Sequence, residues 1–351
     1  MILTQKLNVY TISIRAKNLE RIEHLDKISE RGHLMSTLND VAKKANVSKM
    51  TVSRVINHPE QVTDELKELV FEAMEELNYR PNVAAKALVN NRTQIIKLFI
   101  LEEMDTTEPY YMNLLTGIAR ELDNRHYSLQ LVTKNNFDIG ACDGYIICGM
   151  RENDYEWISG ATKPVVLFGE NRHGYDFVDS NNKEGVACAT QYGIDLGYKN
   201  IIYIGIDVKE PFEYSREIGY ITTLQKDKQT PEIHRFENRS RYAAEFIKEN
   251  WDNFEPNTLF ICSSDRLAIG ILRGINSMGG EVPSDFGIIG HDGVFLDQIA
   301  FPQLTTVKQP VIKMGEACAK MVLNKIEQKN APQGELFFTP ELITRGTTIQ
   351  Q

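Results

Sequence analysis

The segment that most restricts what this chain can become is residues 37–57, which fits two short helices joined by a tight turn. Thr37 is placed to cap the first helix, and Asp40, three residues on, completes a capping box. Leu38, Val41, Ala42 and Ala45 recur at helical spacing on one face. Ala42 is small enough for a second helix to come close. Asn46 falls in the turn, where a left-handed backbone is needed and Asn tolerates it. Ser48 is set to cap the second helix, and Val52, Val55 and Ile56 point inward.

The opposite edge carries Lys49, Met50, Ser53, Arg54 and Asn57. Met50, Arg54 and Asn57 are spaced by four and three, so they line one side of the second helix. A capped helix pair with a polar, basic outer edge has the form of a helix-turn-helix that enters the DNA major groove. Arg54 suits a two-pronged bond to guanine, and Met50 with the Lys49 stem suits a thymine methyl. Ser48, Thr51 and Ser53 suit phosphates, which fix register rather than sequence. The expected DNA-facing set is Thr37, Ser48, Lys49, Met50, Thr51, Ser53, Arg54 and Asn57. A helical pair that merely packs is the plainer alternative; agreement of caps, turn and exposed edge weighs against it.

Net charge would not point to DNA, since the 351-residue chain carries −9. The charge is uneven, however. Residues 36–57 hold four cations against Asp40 alone, and residues 80–92 add Arg80, Lys86 and Arg92 with no acid. The five cysteines are scattered, which reads as reduced thiols of a cytoplasmic protein rather than a disulfide frame or a metal site. No stretch has the length and apolarity of a membrane span, and residues 1–34 lack the pattern of a secretory signal. Phosphate-cradling Gly-rich loops with Lys, Gly-x-Ser-x-Gly elbows and paired-His metal motifs are missing too, so an enzyme is not expected. No cofactor or metal is expected either.

From about residue 94, apolar runs at 95–101, 128–132, 145–148, 165–168, 201–206, 258–262 and 287–289 alternate with helical patterns. The helical patterns cover 111–126, 183–196, 214–226, 241–250, 265–278 and 311–328. Alternation of this kind argues for parallel α/β sheets, with ligands outside the carboxyl ends of the strands.

From Met35 on, the chain resembles the lactose/galactose repressor (LacI/GalR) family of bacterial regulators. The likeness rests on residues 37–57, a third helix over 63–78, Asn78-Tyr79-Arg80-Pro81-Asn82 and Val83-Ala84-Ala85-Lys86-Ala87-Leu88. Downstream it rests on Ser264-Asp265-Arg266-Leu267-Ala268-Ile269-Gly270, Val282-Pro283-Ser284-Asp285, Ile289-Gly290-His291-Asp292 and Leu304-Thr305-Thr306-Val307-Lys308-Gln309-Pro310. The resemblance implies an all-α helix-turn-helix head with a hinge helix, and a periplasmic-binding-protein-like α/β core of two parallel-sheet subdomains.

By that likeness, the helix-turn-helix domain spans 35–80 and the hinge 81–93. The core spans 94–348, with one subdomain at about 94–178 and 308–328 and the other at about 179–307 and 329–348, the chain crossing near 178–181, 306–310 and 328–334. Residues 1–34 fit nothing in the family and are expected to be a non-native or disordered extension. Asn82, Lys86 and Leu88 match the hinge helix that sits in the minor groove, Leu88 as the wedge that opens a base step. Tyr110, Tyr111, Arg216, Phe236, Asp265 and Asp292 are the expected effector contacts, a mixture suited to a sugar. Asp265 as a helix N-cap and Arg216 as a partner of a nearby acid remain open.

The function so implied is a cytoplasmic, nucleoid-associated repressor. It would bind a pseudo-palindromic operator as a homodimer and respond to a small sugar. A corepressor-dependent regulator with a non-sugar effector is the open alternative; a free-standing sugar-binding module fits the helix-turn-helix poorly. Two departures from the family stand out. The connection from Val132 to Asp143 is about ten residues, too short for the usual helix. Glu210 and Phe212 replace the polar or basic contacts of purine-binding members, which argues against a purine and, more weakly, against a phosphorylated ligand.

Overall fold

The computed structural model describes residues 36–57, 59–79, 92–102, 109–133 and 140–349. The expected extension 1–34 and the hinge residues Asn82, Lys86 and Leu88 lie outside the described residues. The chain divides into two compact units, Met1–Val89 and Asn90–Gln351.

In the first unit, α1 (Leu38–Lys44), α2 (Lys49–Asn57) and α3 (Asp64–Glu76) surround a small core. Thr37 closes α1 with a capping box: Asp40 accepts from the Thr37 amide at 2.8 Å and its own amide reaches Thr37 Oγ1. Asn46 takes φ 52° in the turn. Val41 and Ala42 from α1, Val52 and Val55 from α2, and Val70 and Ala73 from α3 are buried together. Ala45 completes this buried cluster, and Leu38, Ile56 and Met74 pack against it, so short helices that would be marginal alone are held by their shared core.

The second unit contains two six-stranded sheets. The first is wholly parallel. It runs β11 (Glu335–Phe338), β5 (Phe177–Ser180), β4 (Val165–Phe168), β3 (Gly144–Cys148), β1 (Ile95–Ile100), β2 (Ser128–Thr133). The second runs β12 (Glu341–Ile343), β10 (Thr305–Lys308), β9 (Phe286–Asp292), β8 (Thr258–Cys262), β6 (Asn200–Ile206), β7 (Glu232–Phe236), with β12 alone antiparallel. Central strands buried on both faces read as continuous apolar runs, which is why 201–206 and 258–262 stand out in the sequence.

Helices α4 (Tyr110–Asn124) and α11 (Val311–Glu327) cover one face of the first sheet over a core of Ile96, Leu98, Ile146 and Val166. They touch backbone to backbone. A methyl on Gly117 would meet the Ile312 carbonyl oxygen at 2.0 Å, and one on Gly315 would meet that of Leu114 at 2.6 Å. The short α5 (Asp154–Ser159) lies between β3 and β4. Around the second sheet stand α6 (Asn182–Asp195) and α7 (Pro211–Lys226), which pack together, and the pair α8 (Ser240–Glu249) and α9 (Asp265–Ser277); α10 (Leu296–Ile299) is a single turn.

The structure corrects the expected subdomain bounds in two places. Residues 179 and 180 complete β5, and residues 335–338 form β11 beside it, so both belong to the first sheet. The physical reason is Asp176. Its carboxylate accepts from the Gln333 and Gly334 amides at 2.8 and 2.7 Å and pairs with Lys325, pinning the returning chain to the first sheet. The last crossing therefore lies between β11 and β12. The short connection between β2 and β3 includes residues 134–139, outside the described residues; residues 140–143 are irregular. Lys97, buried on the β1 face that carries Phe99, donates to the Gly140 carbonyl at 2.6 Å.

Candidate functional site

In the first unit the edge of α2 is exposed. Met50 stands 71 % accessible, and Ser48, Lys49 and Arg54 are exposed beside it, with Thr51 and Ser53 half-buried. Ser48 Oγ accepts from the Thr51 amide at 3.0 Å and lies 2.8 Å from Thr51 Oγ1. Ser48 thus caps α2, and both hydroxyls are oriented at the helix start. Thr37 is exposed but engaged in its capping box. The Asn57 side chain is outside what is described. α2 ends with Arg54 in its last turn and no acid in its first, so its outer face has no carboxylate of its own.

In the second unit a cavity of about 690 Å³ opens between the carboxyl ends of the two sheets. Chain crossings at the ends of β5, β10 and β11 join its walls. The first wall supplies Glu102, Tyr110, Tyr111, Arg151, Tyr155, Phe168 and Asp179; the second supplies Glu210, Phe212, Arg216, Ser264 and Asp292; Gln309 lies in the second crossing. Tyr110 and Tyr111 open α4, with their rings edge to face at 5.7 Å. The Tyr111 hydroxyl donates to Glu102.

Arg216 is 6 % exposed on α7. Its Nε donates to Asn182 Oδ1 at 2.8 Å and its Nη1 to the Ser263 carbonyl at 2.6 Å, while the Phe212 ring lies 5.0 Å from the guanidinium. Under it Glu213 accepts from Tyr203 Oη at 2.9 Å, from the Ile206 amide at 3.2 Å and from Ser263. Asp292 ends β9 at φ 114°, a conformation that favours glycine, and it accepts from Gln309 Nε2 at 2.8 Å. A strained backbone at a cleft carboxylate is what a ligand-holding position often shows. Burial pushes both Asp292 and Asp179 up to about 6.

Across the mouth, Arg151 Nη2 lies 3.1 Å from Glu102 on its own wall, and Nη1 lies 3.6 Å from Glu210 on the other. Burial raises Glu210. The cavity thus combines flat rings with carboxylates and guanidinium groups that can bond neighbouring hydroxyls in pairs.

The structure brings Tyr110, Tyr111, Arg216 and Asp292 together and leaves out two expected residues. Phe236 packs against Phe246 at 5.1 Å, because a ring at the end of β7 is absorbed by the core below it. Asp265 points inward. It accepts from Thr306 Oγ1 at 2.6 Å and from the Gly293 amide at 2.9 Å, and burial holds its carboxyl well above the usual range. The α9 cap is Ser264, whose hydroxyl accepts from the Leu267 amide at 3.2 Å, so Asp265 is not the cap either. Ser264 faces the cavity in its stead. Arg216 meets no carboxylate directly among the described residues.

Asp179, Glu102, Arg151 and Gln309 were not singled out as site residues from sequence. Asp179 sits on β5, whose sequence Phe177-Val178-Asp179-Ser180 turns polar after two residues and so forms no apolar run. A signal was available for Gln309: it lies in the Leu304–Pro310 motif that carries the family resemblance, just before the helix that opens at Val311.

The comparisons agree with this architecture. Residues 37–82 match the profile described as bacterial regulatory proteins, lacI family, and residues 190–348 match a periplasmic binding protein-like domain. An uncharacterized HTH-type transcriptional regulator, YvdE, of Bacillus subtilis (strain 168) is 57 % identical over 316 residues, covering 90 % of this chain and all of that protein. The HTH-type transcriptional repressor PurR of Mannheimia succiniciproducens is 29 % identical, covering 89 % of this chain and 98 % of its own. The chain belongs to the LacI family of bacterial transcriptional regulators.

Two solved structures share the fold. The transcriptional regulator CelR in complex with cellobiose superposes with a TM-score of 0.66 at 25 % identity, covering 89 % of this chain and 99 % of that one. The lac repressor dimer bound to operator and the anti-inducer ONPF gives 0.68 at 21 % identity, covering 90 % and 99 %.

Proposed function

We propose that this transcriptional regulator is a sugar-released repressor of a carbohydrate-utilisation operon. It acts in the bacterial cytoplasm on nucleoid DNA. Lys49, Met50, Arg54 and Asn57 read the major groove, Thr37, Ser48, Thr51 and Ser53 hold phosphates, and Asn82, Lys86 and Leu88 engage the minor groove. Tyr110, Tyr111, Arg216 and Asp292 hold the effector, together with Ser264, Asp179 and Gln309, which line the same cavity. Asp265 and Phe236 are not among them.

The observation that carries this reading is the make-up of the cavity: aromatic rings and paired hydrogen-bonding groups on two walls joined by crossing strands. A ligand that touches both walls changes their relation, and that relation is what operator binding senses; by linkage, DNA weakens the ligand in return. The cavity exceeds what one sugar ring fills, which favours a ligand of two or more rings. The cellobiose found in the CelR complex is in keeping with that. The working unit is a homodimer on a pseudo-palindromic site, supported by the exposed stretch Phe295, Ile299 and Phe301, the last 91 % accessible.

Thermal-shift titration with glucose, ribose, cellobiose, maltose and maltotriose tests the ligand class. A neutral sugar of two or more rings should raise the melting temperature in a saturable way, and Asp292→Ala should remove the response. Stabilisation by a purine base and by none of these sugars would replace the reading with a corepressor-type one.

A further inference from the structure

Asn182 is 2 % exposed and is the first helical residue after the chain leaves β5 for α6. Its amide faces both walls of the cavity at once. Oδ1 accepts from Arg216 Nε at 2.8 Å, whereas Nδ2 donates to Asp179 Oδ2 at 3.2 Å and to the Ser180 carbonyl at 3.1 Å. Arg216 belongs to the second wall and Asp179 to the first, and both reach the cavity. Opposite charges in a low-dielectric site attract strongly, yet these two do not pair directly. The amide between them satisfies one with its acceptor and the other with its donor.

We propose that Asn182 is a positioning residue. It is a neutral spacer that keeps Arg216 and Asp179 apart as two separate ligand contacts and ties each of them to the crossing strand. This rests on the cavity being the effector site. Without the spacer the guanidinium and the carboxylate collapse onto each other, and a ligand must then break an ion pair before it can use either. A shape-only role for Asn182 would leave the two charges where they are.

Among the described residues, the groups facing Asp179 are Glu170, Arg216, Tyr110 and the thiols of Cys148 and Cys318, so Arg216 is the cation there whose approach can change its titration.

Crystal structures of the full chain and of Asn182→Ala, both free of ligand, read the spacing directly. In the variant a guanidinium nitrogen should come within about 4 Å of the Asp179 carboxylate, the span of an ion pair. An unchanged separation would overturn the proposal, whatever the cavity binds. Calorimetric titration with cellobiose and maltotriose from about pH 5 to about pH 8 supplies the second reading. Asn182→Ala should bind at least tenfold more weakly, with the pH midpoint of binding moved down. Asn182→Asp keeps the acceptor for Arg216 but sets a second carboxylate beside Asp179, and should move the midpoint up. A pH-independent loss shared by both variants would mark Asn182 as structural only and overturn the proposal. If the unaltered chain binds neither sugar, the sugar reading fails while the crystallographic separation still decides the role of Asn182.

Discussion

Arg151 on one wall of the cavity stands 3.6 Å from Glu210 on the other, with Glu102 holding the far side of its guanidinium at 3.1 Å. The contact spans the mouth of the cavity. Arg151 is 41 % exposed, so water screens the pair. It contributes at most about 1 kcal/mol. Glu210→Gln should therefore leave unfolding free energy within about that amount in denaturant titration, while it speeds sugar association in stopped flow. A loss several times larger would mean that the two walls depend on this pair for their stability.

Asp292 and Asp179 are raised to about 6 from an ordinary value of 3.8. A carboxyl raised in the folded state binds a proton there that the unfolded chain has already released, so stability falls as pH climbs between those values. Each such group lowers stability by on the order of 3 kcal/mol across that window. Asp292→Asn should flatten part of the fall, measured by denaturant titration at about pH 4 and about pH 7. Identical pH dependence in variant and parent would contradict the burial of that carboxyl.

Arg54 lies on the exposed edge of α2 with no acid in the first turn of that helix. Arg54→Ala should cost about 1–3 kcal/mol on the cognate site and relax discrimination at a single base pair. Equal losses on cognate and scrambled DNA, read by anisotropy, would reduce Arg54 to a phosphate contact.

Gly117→Ala puts a methyl 2.0 Å from the Ile312 carbonyl oxygen, where only backbone movement can relieve it. The α4–α11 pair must spread, and stability should fall by about 1–3 kcal/mol in calorimetry. A neutral result would show that the two helices slide at no cost.

Legibility in the sequence followed the range of the interactions. The head could be read in detail because its determinants are local: Thr37 caps across three residues, Ser48 does the same for α2, and Asn46 needs no partner for its turn. The strands of both sheet centres were legible as apolar runs. The edge strand β11 was assigned to the other half, because what holds it is Asp176, about 160 residues earlier in the chain. At the α9 start a one-residue distinction decided the site: Ser264 turns to the cavity while Asp265 is taken up by Thr306, 41 positions away. Asp179, Arg151 and Glu102 carry no motif, and the cavity exists only once two sheets are set side by side. Phe236 shows the converse, an aromatic at a plausible strand end that the core claims first.

The most direct test of the account is anisotropy of the full chain on DNA from upstream of its own gene, against scrambled DNA. Salt should be about 150 mM, where non-specific electrostatic binding is weak. Binding should be tight on the upstream DNA alone and should be released by a sugar of two or more rings. Arg216→Ala should keep the DNA binding and lose the release. Sequence-dependent binding that no sugar alters, or release that persists in Arg216→Ala, would contradict the claim that this cavity governs the DNA-reading head.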